Sequence, residues 1–135
     1  MKLKNLVSSL GLDNNIIFLG YKSNSHDYIN ACDLFVLPSI SNEDMPLVLL
    51  TALELGKPIV ASNFAGISQV IKTEVNGMLI DIDYSNFDEK LYEIIFRLYT
   101  NLELRAFIGK NAKVSFVEYS PEKYGENIKN LYRQL

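Results

Sequence analysis

The sequence predicts an α/β domain: a parallel sheet with helices on both of its faces. Two observations carry the prediction. Short, apolar, β-branched runs alternate with segments of helical spacing. Those runs are apolar along their length, as expected of buried strands. The 135 residues suffice for one domain, taken as 1–135, with a sizeable core.

The elements follow in order. Leu3, Leu6, Val7 and Leu10 share one helical face, and Gly11 suits the stop of that helix. "NIIFLG" (15–20) reads as a buried strand closed by glycine. Asn24 or Ser25 caps a helix over about 26–32. "DLFVLPS" supplies a second strand, at 34–38. A helix from about 46 to 55 comes next and stops at Gly56-Lys57-Pro58. "PIVAS" (58–62) is the third strand, "NFAGIS" a loop, and 67–72 a short helix. "NGMLIDI" opens on a turn dipeptide and holds the fourth strand, 78–82. Phe87, Leu91, Ile94, Ile95 and Leu98 then mark a helix, with Asn86 and Glu89 as its capping box. Leu104, Phe107, Ile108 and Ala112 mark another. Ser120-Pro121 opens the last helix, which bears Tyr124, Ile128, Leu131 and Leu135. The whole reads as a Rossmann-like sheet of about four strands, fewer than a doubly wound domain usually has.

Composition excludes several functions. Net charge is −3 with no basic run, so nucleic acid is not an expected partner. One cysteine, Cys32, permits no internal disulfide and fits a reducing compartment. No apolar run approaches a membrane span, and no signal peptide opens at Met1, so a cytoplasmic location is expected. No cluster has metal-ligand spacing, so no metal is expected. His26, the single histidine, reads as a surface or capping residue, and Cys32 as a buried thiol. Tyr92, Tyr99, Tyr124 and Tyr132 read as packing residues.

In parallel α/β sheets, ligands bind outside the carboxyl ends of the strands. Those ends are Gly20-Tyr21-Lys22, the loop from Pro38 to Glu43, Ser62 to Gly66, and Ile82-Asp83. The helix beginning near Pro46 follows one of them, with Asp44 or Met45 as its expected cap. Leu47 and Val48 then offer free N–H groups, a place for an anion such as phosphate. Glu43 stands just ahead, ready to accept from hydroxyls. An amide cradle beside a carboxylate suits a ligand with both phosphate and sugar. Glu43 and Asp44 have a plainer reading too: acids near a helix start stabilise its dipole.

"IIFLGY…DLFVLPSISNEDMPLVLLTALELGKPIVASNFAGISQVI…NGMLIDI" resembles the donor-binding C-terminal half of the retaining, GT-B-fold glycosyltransferases of family 4. The likeness rests on Phe18-Leu19-Gly20, Ala31-Cys32-Asp33, Pro38-Ser39, Glu43, Pro46, Ala52, Gly56 to Ala61 and Asn76-Gly77, and runs from about 3 to 135. It implies a nucleoside-diphosphate sugar as donor, no separate cofactor, and transfer with retained configuration to a hydroxyl of a saccharide or lipid-linked acceptor. Carried over, Glu43 is the catalytic-site acid facing the sugar. The backbone of Asp44, Met45, Pro46, Leu47 and Val48 meets sugar and diphosphate. Gly20, Tyr21 and Lys22 border the base.

Thr51 stands where the family has a second glutamate, which binds ribose hydroxyls. A hydroxyl lacks the charge-assisted, two-oxygen grip of a carboxylate. Asp44 replaces a frequent glycine, and Ala65 to Gln69 stands where Gly-Gly-Ile-Pro-Glu is common. The family's upstream strand, glycine-rich turn and diphosphate-clamping Arg and Lys have no counterpart from Met1 onward, nor has its acceptor domain. Weak or no transfer by this chain alone is therefore expected, with an acceptor domain or partner subunit supplying the rest. Any membrane association would come through that partner, and a homo-oligomer is left open. The alternative is a non-catalytic assembly subunit that docks through its sheet edge and the Tyr124, Ile128 and Leu131 stripe. A response-regulator receiver lacks its acidic pair and phospho-acceptor aspartate here.

Overall fold

The computed structural model describes residues 2–40 and 44–134. Its elements are α1 (Lys2–Ser9), α2 (Ser25–Ala31), β1 (Phe35–Leu37), α3 (Leu47–Glu54), β2 (Ile59–Ser62), α4 (Ile67–Val70) and β3 (Met78–Ile80). Helices α5 (Phe87–Thr100) and α6 (Leu102–Ser115), a 3-10 turn (Phe116–Tyr119) and α7 (Pro121–Arg133) complete it.

The sheet is parallel, in the order β1-β2-β3. Phe35 pairs with Ile59, and Val60 with Met78, so β2 is central. All four of its residues are buried. Their side chains alternate between two cores, as the pleat requires. Ile59 and Ala61 pack with Leu49, Leu53 and Ala52 of α3 and Ile67 and Val70 of α4. Val60 packs with Met78 and Ile80 of β3, Leu98 of α5 and Ile108 of α6. Helices thus cover both faces, as the apolar runs required.

Local chemistry sets the ends of the elements. Gly11 and Gly56 stop α1 and α3 at positive φ, 67° and 66°, a conformation cheap only for glycine. Asn101 ends α5 and caps α6, its side chain accepting from the Leu104 amide at 2.9 Å. Ser120 caps α7 by accepting from the Lys123 amide, with Pro121 at the first helical position. Buried Asn76 ties the turn before β3. It donates to the Val70 carbonyl and the Ser115 hydroxyl, both at 3.0 Å, and accepts from the Lys72 amide at 2.6 Å.

Three expectations change. The sheet has three strands among the described residues, not four: 15–20 joins no ladder, and Ile17 is 82% exposed. An apolar run becomes a strand only beside a partner backbone, and none flanks this one among the described residues. The apolar face of α1 is largely uncovered for the same reason: Val7 is buried, while Leu3, Leu6 and Leu10 are exposed. The Asn86–Glu89 box does not form, since Asn86 occupies the cap position with its buried Oδ1 unpaired.

Candidate functional site at the carboxyl ends of the strands

Residues 38–40 and 63–66 leave the carboxyl ends of neighbouring strands β1 and β2, and residues 44–46 lead into α3. Helix α3 starts at Leu47, with Pro46 as its cap (φ −68°, ψ 119°), instead of the expected Asp44 or Met45. Proline reaches this dihedral without cost but has no side-chain acceptor. Of the first three amides of the helix, that of Leu49 alone finds a backbone partner among the described residues, donating to the Pro46 carbonyl at 2.9 Å. The amides of Leu47 and Val48 have no acceptor among the described residues. They combine with the positive end of the α3 dipole to form a site suited to an anion.

Beside them lies a cleft of about 380 Å³ lined by Asp44, Met45, Ala65, Gly66 and Gln69. The two loops meet closely. A Cβ on Gly66 would fall 1.8 Å from the Asp44 carbonyl oxygen, so only glycine lets them approach this far. Its neighbour Ala65 has φ 43°, a left-handed conformation that strains a residue with a Cβ. This explains in physical terms why a glycine is common at Ala65 in the pattern the sequence resembles.

The cleft gathers some of the expected site residues and not others. Asp44 and Met45 line it, and Pro46, Leu47 and Val48 form the helix opening beside it. Thr51 lies one turn further along α3, half-buried, its hydroxyl donating to the Leu47 carbonyl at 3.3 Å. Glu43 lies outside the described residues. Gly20 has φ 64°, the left-handed turn expected where the run ends. Gly20, Tyr21 and Lys22 do not line the cleft, and Tyr21 is 94% exposed. Gln69 stands at the cleft with its backbone carbonyl accepting from the Tyr119 hydroxyl at 3.4 Å.

Two further hollows, of about 300 and 400 Å³, share Asp33 and Arg105 near the start of β1. Size does not separate the three; the open helix amides select the first. Among the described residues no group of three His, Cys, Asp or Glu side chains could hold a metal ion.

The remaining sequence candidates sit elsewhere. His26 is exposed in the first turn of α2. Cys32 is half-buried rather than buried, and its thiol donates to the Ile29 carbonyl at 3.0 Å. Burial pushes that thiol above its ordinary range, with nearby Lys57 opposing, which suppresses the reactive thiolate. Tyr92, Tyr99, Tyr124 and Tyr132 are exposed, contrary to the packing expectation. They lie on outward helix faces, and Tyr92 stacks on Phe96 at 5.8 Å.

Sequence reasoning placed Ser62 at a strand end but gave it no role of its own. It is the last residue of β2, fully buried, and its hydroxyl donates to the carbonyl of Ser39 in the loop after β1. The one signal was a small polar residue closing the otherwise apolar "PIVAS".

Known proteins resemble this chain in sequence and in fold. The E. coli UDP-Gal:alpha-D-GlcNAc-diphosphoundecaprenol alpha-1,3-galactosyltransferase is 30% identical over 95% of this chain and 32% of its own length. An uncharacterized glycosyltransferase of Methanocaldococcus jannaschii is 28% identical over 97% of the chain and 33% of its own. The chain thus spans about a third of the length of these relatives. Among solved structures, HepE of Anabaena in complex with UDP superposes with a TM-score of 0.88 at 27% identity. The match covers 99% of this chain and 36% of HepE. The C-terminal domain of a group 1 glycosyl transferase, LpcC of Francisella tularensis, shares the fold (TM-score 0.76, 23% identity, 89% of this chain and 62% of that one). The fold is that of the GT-B glycosyltransferases. No described helix is long and apolar enough to cross a membrane. The model of the family "Glycosyl transferases group 1" matches residues 1–115, and the chain belongs to that family.

Proposed function

We propose that this chain binds the nucleoside-diphosphate part of a sugar donor, a UDP-sugar, in the cleft before α3. The observation that carries the reading is the pair of open amides at Leu47 and Val48, set beside a cleft at the carboxyl ends of β1 and β2. The crystal structures of HepE with UDP and with UDP-glucose, at 27% identity over 99% of this chain, support UDP as the nucleotide.

The chemistry follows from charge. When the bond between the sugar and its diphosphate breaks, negative charge builds on the departing phosphate. Fixed N–H donors and a helix dipole stabilise that charge more than they stabilise the bound donor, which lowers the barrier. Leu47 and Val48 supply the donors. Glu43 accepts from sugar hydroxyls and orients the ring, Thr51 meets the ribose, and Gly20 to Lys22 border the base. Transfer goes with retained configuration to a hydroxyl of a saccharide or lipid-linked acceptor. The acceptor surface comes from a further domain or a partner subunit, in keeping with the third of its relatives' length that the chain spans. The location is cytoplasmic, where the single thiol stays reduced.

Calorimetric titration of the chain with UDP, GDP and ADP tests this. Saturable binding is expected, tightest for UDP and weakened at least tenfold in Glu43→Ala. Absence of binding for all three nucleotides would reject the donor reading. A second reading is favoured by the exposed Leu3, Leu6 and Leu10 of α1 and by Ile17: a non-catalytic subunit that assembles through this apolar surface. That reading expects no nucleotide binding, together with concentration-dependent association in sedimentation that Leu6→Asp abolishes.

A further inference from the structure

The end of the sheet opposite the donor cleft carries polar chemistry that the donor reading does not use. Two hollows open there, of about 300 and 400 Å³, sizes at the lower end of small-molecule sites. Both sit where Asp33 and Leu34 lead into β1, against the corner between α5 and α6. Asp33 and Arg105 line both, so the two hollows share this pair as a common wall.

The other walls differ in kind. Leu34, with Ile95 and Leu98 of α5, makes the larger hollow apolar. Tyr99 lines it as well and is 71% exposed, so its ring is accessible to a ligand. Gly56, Pro58, Gly109 and Lys110 line the smaller one.

Arg105 is half-buried and Asp33 exposed. Neither side chain forms a hydrogen bond or an ion pair among the described residues. A guanidinium only donates and a carboxylate only accepts. Here the two flank the same space and do not close on each other.

That combination selects a ligand class. The ligand must offer hydrogens to Asp33, lone pairs to Arg105 and an apolar face to Leu34, Ile95, Leu98 and Tyr99. An anion suits Arg105 but is repelled by Asp33, and a cation meets the reverse conflict with Arg105 and Lys110. A purely apolar molecule strips water from both charges and replaces none of its hydrogen bonds. A saccharide meets every demand, since each hydroxyl both donates and accepts and the C–H side of a sugar ring is apolar.

We propose that the hollows at the start of β1 form a saccharide-binding site separate from the donor cleft. Asp33 and Arg105 hold hydroxyls of the sugar, and Tyr99 packs on its ring. The site lies at the amino end of β1, whereas the donor cleft lies beyond the carboxyl end. A glycan held there leaves the donor cleft free, and the site does not depend on the donor reading.

NMR titration of the whole chain with glucose, galactose, N-acetylglucosamine, maltose and lactose, and with inorganic phosphate, tests this. Amide shifts at 33–34, 95–99 and 102–110 report on the proposed site, and those at 44–50 and 65–69 on the donor cleft. At least one sugar is expected to shift the first set saturably, with little dependence on salt, and to leave the second set unchanged. Tyr99→Ala and Arg105→Gln should each weaken that sugar by about two- to tenfold. Asp33→Asn identifies the class of ligand. It removes a charge-assisted acceptor, so a sugar should bind about three- to tenfold more weakly, whereas an anion, relieved of repulsion, binds more tightly. UDP affinity should stay at its wild-type value in all three variants. Three results overturn the site: no shift at these positions with any of the sugars, sugar affinity unchanged in both Tyr99→Ala and Arg105→Gln, or phosphate binding there that Asp33→Asn tightens.

Discussion

Gly66→Ala is the sharpest perturbation of the cleft. An added Cβ would lie 1.8 Å from the Asp44 carbonyl oxygen and 2.8 Å from its carbonyl carbon. Ordinary contact begins near 3.4 Å, so one loop must retreat by 3.4 − 1.8 = 1.6 Å. The obstacle is backbone, which cannot swing away as a side-chain tip would. Forcing an extra carbon into a packed contact costs about 1–3 kcal/mol. The retreat displaces the residue next to Met45 and Pro46, at the entrance to α3. A shift of about 1 Å in a positioned site is enough for losses of around a hundredfold, so UDP affinity should drop by at least tenfold. Gly125→Ala is the control. Gly125 lies inside α7 with nothing within 4 Å of its Cβ position, so alanine there should raise stability by up to about 1 kcal/mol and leave binding alone. Chemical denaturation gives the stability and calorimetry the affinity. Wild-type values of both in Gly66→Ala would show that the two loops do not meet as described.

Three further outcomes are expected. Thr51→Glu places a two-oxygen acceptor at the position proposed to meet the ribose and should tighten UDP binding by roughly 5- to 150-fold, equivalent to about 1–3 kcal/mol, whereas Thr51→Ala should not. Asn76→Ala removes three hydrogen bonds from a buried turn and should cost about 2–4 kcal/mol in urea unfolding, with UDP affinity at low denaturant little changed. Asp83 is held below the ordinary carboxylate range by the Ser85 hydroxyl and amide, at 2.7 and 3.1 Å, with Lys90 helping from 3.9 Å. A carboxylate with a folded-state pKa below its unfolded value stabilises the fold at neutral pH. It loses that stabilisation as pH falls through the folded-state value. Asp83→Asn should therefore flatten the acid limb of the stability profile while hardly altering stability below it.

The frame was legible where one residue type answers one physical demand. "DLFVLPS", "PIVAS" and "NGMLIDI" each hold a strand, because runs apolar along their length require cover on both faces. Ser120-Pro121 and Gly56 mark helix ends by local backbone chemistry alone. "NIIFLG" carried the same apolar signal and is no strand, since pairing depends on a neighbour that a local pattern does not reveal. The site was legible only in part. A helix opening after a strand end could be read at Leu47 and Val48, yet its proline cap went unforeseen, because Asp44 is the better side-chain acceptor on propensity alone. Ser62 and Gly66 act across the gap between two loops, and Ala65 owes its left-handed backbone to that approach. Such contacts join residues some two dozen positions apart and leave no periodic trace.

The sequential order of the sheet bears on how the chain acquires its shape. Each strand lies beside the one made just before it, and each pairing closes a crossover of only about two dozen residues or fewer. Assembly can therefore proceed in the direction of synthesis, from β1 outward to β3, without waiting for a distant segment. Once α4 has emerged from the ribosome, β1, α3 and β2 are all free to come together, and with them both sides of the cleft.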